Sequence, residues 1–167
     1  EKVVVLVVGG PNKYYNFMDN LIDEIFHKIK KNFLDNGYQL IFIPSMRTPQ
    51  RIIDKAKDFY NGDQIIISDV DKKAYLSSLK LADHIVVTCD STSMISEAAI
   101  TGKPIYVADM PAIKNNYRFK KFFELFKSLD IIRNLDSSVE SWDYKKLNET
   151  DRIAGYIEKR FQNYDFS

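Results

Sequence analysis

The sequence predicts a doubly wound α/β domain: a mostly parallel, Rossmann-like sheet of about six strands in the order 3-2-1-4-5-6, with helices on both faces. Three observations carry this. Val3 to Val8 is a continuous β-branched run of the kind found in strands covered on both faces. Strand-like and helix-like segments then alternate along the chain. The stretch from Ile85 to Val107 condenses the unit into one line: an apolar run, a hydroxyl-rich turn, a short helix ending at Gly102, and a second apolar run.

Each element follows from local pattern. After the first strand comes Gly9-Gly10-Pro11-Asn12-Lys13, a loop with two residues free to take unusual dihedrals. Met18, Leu21, Ile22, Ile25, Phe26, Ile29 and Phe33 repeat at helical spacing, and Asn36-Gly37 closes that helix. Gln39 to Ile43 is the second strand. It leads through Ser45-Met46-Arg47-Thr48-Pro49 to a helix whose buried face is Ile52, Ile53, Ala56, Phe59 and Tyr60. Ile65 to Ile67 is the third strand and Lys73 to Leu81 the third helix. The fourth strand, a helix from Ser91 to Thr101 and the fifth strand follow. Phe119, Phe122, Phe123 and Phe126 stripe a fifth helix, and Ile131-Ile132 forms a short edge strand. Ser137 to Asn148 reads as an irregular crossing segment, and a helix over 150–162 closes the chain.

Bulk properties narrow the function. At 167 residues the chain is read as a single domain over 1–167, burying roughly two-thirds of its unfolded surface. A formal charge of +1 gives no field directed at nucleic acid. The single Cys89 excludes an internal disulfide and a cysteine-based zinc site and suits a reducing, cytoplasmic compartment. No apolar run approaches the ~20 residues of a membrane span. A start at Glu1-Lys2-Val3 reads as a fragment cut from a longer chain.

In such a sheet, ligands bind outside the carboxyl ends of the strands, where the strand order reverses. Strands one and four flank that point, so the Gly9 to Lys13 loop and the turn from Asp90 to Ser93 face one crevice. The first offers close backbone approach; the second offers hydroxyls and helix N–H groups to an anion. Arg47, one strand away, is a fork-shaped phosphate donor. Glu97 shares a helix face with Ser93 and can accept from vicinal ribose hydroxyls. The chain lacks G-x-x-x-x-G-K-[ST] and the third glycine of G-x-G-x-x-G, so neither a P-loop ATPase nor a dehydrogenase fits. Each of these residues also has a plain structural reading: a cap for Ser91, a turn for Gly9-Gly10, a solvated face for Arg47 and Glu97. His27 reads as solvated, and His84 as a capping or surface residue ahead of strand four. Cys89 reads as a small core or near-site residue. No catalytic set or metal-ligand spacing can be assembled.

The run Asp90-Ser91-Thr92-Ser93-Met94-Ile95-Ser96-Glu97-Ala98-Ala99, with Thr101-Gly102-Lys103-Pro104-Ile105, resembles the plant mitochondrial-fission (ELM1-like) factor family and its bacterial relatives. Gly9 to Lys13, Arg47-Thr48-Pro49, Arg118-Phe119-Lys120-Lys121-Phe122, Glu140 to Tyr144 and Leu147-Asn148-Glu149-Thr150 agree in the same order. That family in turn resembles the donor-binding half of the two-domain, B-type (GT-B) glycosyltransferase fold. The resemblance implies a nucleoside diphosphate sugar as ligand. Its diphosphate would lie at Gly9, Gly10, Asn12 and Lys13, with Arg47, and at Ser91, Thr92 and Ser93, and its ribose at Glu97. It also implies an amino-terminal half-domain of the same chain as partner, without which this part is inactive. Two other functions stay open: a non-catalytic adaptor of the fission-factor type, and a nucleoside-diphosphate-sugar epimerase. Lys114, Arg118, Lys120, Lys121 and Lys127 surround the phenylalanine stripe. They read as a solvated rim or, alternatively, as a peripheral contact with the inner membrane.

Overall fold

The strand at the centre of the fold carries the longest apolar run. β1 (Lys2–Val8) is buried from Val4 onward and hydrogen-bonds on both sides, to β2 (Tyr38–Pro44) and β4 (His84–Thr88). The computed structural model describes residues 1–136 and 138–146. Around β1 the sheet adds β3 (Ile65–Ile66), β5 (Ile105–Ala108) and β6 (Ile132–Asn134) in the order β3-β2-β1-β4-β5-β6, every pairing parallel. The predicted strand order is therefore the observed one, and the chain reverses direction between β1 and β4.

The connecting helices are α1 (Asp19–Asn32), α2 (Gln50–Phe59), α3 (Lys72–Leu81), α4 (Thr92–Ala99) and α5 (Tyr117–Ser128). α1 lays Ile22, Ile25, Phe26 and Ile29 on the sheet. It passes into a turn of 3-10 helix at Leu34–Asn36, and Gly37 closes it at φ +85°, a backbone setting that disfavours a side chain. Met18, expected within the helical stripe, instead stands just outside the helix and is exposed, because the chain enters α1 there in an extended conformation. α3 is capped by Asp71, whose carboxylate accepts from the backbone N–H of Lys73 and Ala74. α5 buries Phe119, Phe122 and Phe126, with the last two rings stacked at 4.2 Å. Each such side chain contributes about 1.5–3 kcal/mol by leaving water. The outer strand β3 is only two residues long, and its Ile65 is exposed.

His84 departs from expectation. It lies inside β4 and is buried, because Phe33, Tyr38 and Tyr106 close an aromatic box around it. Its Nε2 lies 2.9 Å from the Glu140 carbonyl. Residues 138–146, expected to be irregular, are indeed without regular structure, and they strap the sheet margin. The Trp142 indole N–H donates to the Asp130 carbonyl at 2.8 Å, the Arg133 guanidinium stacks on that indole at 4.0 Å, and the Tyr144 hydroxyl donates to the Lys103 carbonyl at 2.6 Å. The closing helix over 150–162 and the Leu147 to Thr150 motif lie outside the described residues.

Candidate functional site

At the reversal point three loops meet on one buried carboxylate. The Asp90 side chain is fully covered. Oδ1 accepts the Thr88 hydroxyl at 2.6 Å; Oδ2 accepts the Gly10 N–H at 3.2 Å and Arg47 Nη2 at 2.7 Å. Arg47 Nη1 donates to the Gly10 carbonyl at 3.0 Å, so one guanidinium ties the β2 loop to both the β1 loop and the β4 loop. Thr48 closes the same junction by donating to the Gly9 carbonyl at 2.7 Å. Burial is the largest influence on Asp90 and pushes its carboxyl above the usual carboxylate range; Thr88, Arg47 and Gly10 pull it back.

The glycines are explained by this junction. A Cβ on Gly9 would lie 1.9 Å from Asp90 Oδ2, and one on Gly10 would lie 2.0 Å from the Arg47 carbonyl oxygen. Their N–H groups already have partners, Gly9 donating to the Thr88 hydroxyl at 2.9 Å and Gly10 to Asp90. The close approach made by this loop is therefore to protein. Asn12 is similarly engaged: its side-chain oxygen accepts from the N–H of Tyr14 at 2.9 Å and of Tyr15 at 3.0 Å, and its amide donates to the Asp90 carbonyl at 3.3 Å. The Lys13 ammonium lies 5.5 Å from the Tyr14 ring centroid.

The start of α4 is arranged differently. Ser91 is the N-cap, its hydroxyl accepting from the Met94 N–H at 3.3 Å. Among the described residues no hydrogen-bond acceptor takes the N–H of Thr92 or Ser93. These are the orphan donors of a helix start, at the positive end of its dipole. Ser93 is exposed, and so is Glu97, about one and a half turns into the helix. Beside Glu97, from α3, lies Tyr75; burial and the nearby carboxylate raise its phenol. Its enclosed hydroxyl has no aligned partner among the described residues, and neither has the Ser96 hydroxyl.

Sequence reasoning thus selected a region that the fold does assemble, Arg47 and the Ser91 turn included. It placed Asp90 in that turn without giving it a role, and it passed over Thr88 and Thr48 as site residues. The usable signal was an acid flanked by hydroxyls, just past the end of a strand that must face a Gly-Gly loop.

Cys89 is buried, and burial raises its thiol, so it is a core residue and not a thiolate nucleophile. His27 is exposed, as expected. Of the basic cluster, Lys114, Lys120 and Lys127 border an open groove of roughly 770 Å³ with Phe123, and Lys121 caps the Tyr117 ring at 4.7 Å. Phe119, Phe122 and Phe126 point into the domain, so the apolar face that insertion into a bilayer would use is already covered. Among the described residues no helix is long and apolar enough to cross a membrane, and no group of side chains could hold a metal ion.

Known proteins with this pattern agree on the fold. The chain is similar to the UDP-GlcNAc 2-epimerase of Neisseria meningitidis solved with UDP-GlcNAc (TM-score 0.50, 13% identity, 94% of this chain and 36% of that one). It is also similar to the S. aureus MnaA structure solved with UDP (TM-score 0.51, 14% identity, 99% and 47%). In sequence, an uncharacterized protein of Rickettsia prowazekii, RP120, is 29% identical over 164 residues, 94% of this chain and 46% of that protein. The mitochondrial fission protein ELM1 of Arabidopsis thaliana is 26% identical over 162 residues, 94% and 37%. The chain thus spans less than half the length of these curated relatives. The family profile described as mitochondrial fission ELM1 matches residues 1–161, and the chain belongs to that family.

Proposed function

We propose that this chain is the sugar-nucleotide-binding half of a GT-B-like protein whose other half is an amino-terminal domain of the same polypeptide. The observation that carries this reading is the start of α4. Its unengaged N–H groups at Thr92 and Ser93 open at the strand-order reversal, with Arg47 bound to the preceding Asp90 and Glu97 further along the same helix. A diphosphate fits the first feature: the helix start supplies N–H donors and a positive dipole end, and the guanidinium supplies a fixed cation. A ribose fits the second, since one carboxylate can accept from two vicinal hydroxyls. Gly9, Gly10 and Asn12 shape this site by supporting Asp90 and the β1 loop, and the direct contacts come from Arg47, Ser91, Thr92, Ser93 and Glu97, with Lys13 adding a cation to the β1 loop. In transfer or epimerisation the departing diphosphate would be stabilised by the same donors.

UDP is the natural first probe, because the structural neighbours were solved with UDP or a UDP-sugar. At a hundredfold excess over its dissociation constant it should stabilise the fold by about 2.7 kcal/mol, seen as a rise in Tm. Glu97→Ala should lower the affinity for UDP more than that for pyrophosphate, which has no ribose. A panel of nucleoside diphosphates that leaves Tm unchanged would remove this reading in favour of the adaptor function.

A further inference from the structure

We infer that Asp90 is a positioning residue, acting through Arg47: it holds the guanidinium oriented beside the start of α4 before any ligand arrives. The inference rests on the donor-site reading and adds to it a residue that would touch no ligand.

The argument begins with the cost of the arrangement. A fully covered carboxylate is desolvated, and a buried ion pair is commonly no more stabilising than apolar residues filling the same space. A junction needed only to join three loops would not require a carboxylate at its centre. What an ionised Asp90 provides is direction. Oδ1 takes the Thr88 hydroxyl, so the carboxylate plane is fixed from its own strand; Oδ2 takes the Gly10 N–H and Arg47 Nη2. The guanidinium is then held at a second point, with Nη1 on the Gly10 carbonyl. Two hydrogen bonds to separate nitrogens fix a planar fork in orientation as well as position.

Asymmetric exposure gives the pair its use. Asp90 is covered while 39% of the Arg47 side chain remains exposed, so of the two partners only the arginine reaches the surface. Its place is set by covalent connection, because Asp90 immediately precedes the N-cap Ser91. An anion arriving at the N–H groups of Thr92 and Ser93 meets an ordered guanidinium, and the rotamer freedom that a flexible arginine would lose on binding has been lost on folding. Gly9 and Gly10 belong to the same device. Without a Cβ at either position the β1 loop can close on Asp90 and on the Arg47 backbone.

Asp90→Asn tests this while keeping size and shape. An amide has one acceptor oxygen for the donors that now share two, so the Arg47 contact weakens while the fold is retained. UDP affinity should fall about tenfold, or 1.4 kcal/mol. If Asp90 acts through Arg47, the change adds nothing to the loss already produced by Arg47→Gln. Additive losses in the double variant D90N/R47Q would overturn the inference, since that is how two independent or merely structural contributions behave. Should the unaltered chain fail to bind UDP, the donor-site reading fails, and the positioning claim is judged by ¹⁵N NMR of the guanidinium. Arg47 N–H groups that are ordered in the unaltered chain and mobile in D90N, with the amide spectrum preserved, uphold it; an equally ordered guanidinium in both overturns it.

Discussion

The oxygen of Asp90 that Arg47 grips at 2.7 Å is the same oxygen that a side chain at Gly9 would strike, 1.9 Å from an ideal Cβ. The glycine is therefore there for what stands opposite it. Gly9→Ala must either displace a covered, ion-paired carboxylate or push β1 off β4, and overpacking combined with a disturbed buried pair costs about 3 kcal/mol. Gly37→Ala offers the contrast. Nothing lies within 4 Å of its Cβ, and only the left-handed backbone at φ +85° is strained, at about 1–2 kcal/mol. Urea unfolding of both variants checks the order. Equal losses would show that Gly9 is serving as an ordinary turn.

That contrast marks what was legible beforehand. Periodicity needs only neighbours in sequence, so β1, β2, α1, α5 and the strand order could be read from Val3–Val8, the Ile and Phe spacings and the alternation of elements. Gly37 was legible as a helix stop for the same reason. The role of Gly9 was not, because its partner Asp90 is 81 positions away and becomes adjacent only when β4 pairs with β1. His84 failed similarly: its box is assembled from Phe33, Tyr38 and Tyr106, which come from different parts of the chain. The cap at Ser91 was legible because capping is local.

Ser91 and Ser93 separate capping from ligand contact. Ser91→Ala removes the hydroxyl that accepts the Met94 N–H and should cost about 1 kcal/mol of stability. Ser93 is exposed, and Ser93→Ala should change stability by less than about 0.5 kcal/mol. If the donor site lies here, Ser93→Ala weakens UDP binding without moving the urea midpoint. A variant that binds UDP unchanged would take Ser93 out of the site.

His84 should make stability depend on pH. Burial lowers its pKa from the model-peptide value of 6.5, outweighing the Glu140 carbonyl and Asp83, which favour the charged ring; Lys2 acts with burial. Among the described residues Nδ1 has no partner, so a second proton would have no acceptor within the aromatic box. With the folded pKa below the unfolded one, the unfolded chain binds more protons between the two values. The stabilisation is therefore complete above about pH 6.5 and is lost as pH falls through the folded pKa. Unfolding free energy should decline from pH 7 to pH 5, and His84→Gln should flatten this part of the curve. An identical slope in the variant would assign the acid sensitivity to the carboxylates.

Tyr75 offers a gain in place of a loss. Among the described residues its enclosed hydroxyl has no aligned hydrogen-bond partner, while its ring packs against the core. An enclosed polar group without a partner carries a desolvation cost that its removal recovers. Tyr75→Phe keeps the ring and deletes only the oxygen, so the fold should become more stable by up to about 1 kcal/mol. The neighbouring Glu97 carboxylate, which helps to raise the Tyr75 phenol, supplies the competing outcome. If Tyr75 donates to Glu97 in solution, Tyr75→Phe loses stability, and UDP affinity falls with it as Glu97 loses its guide. Thermal unfolding with and without UDP distinguishes the two: a higher Tm in the absence of ligand and an unchanged ligand-induced shift show Glu97 to be oriented by α4 alone.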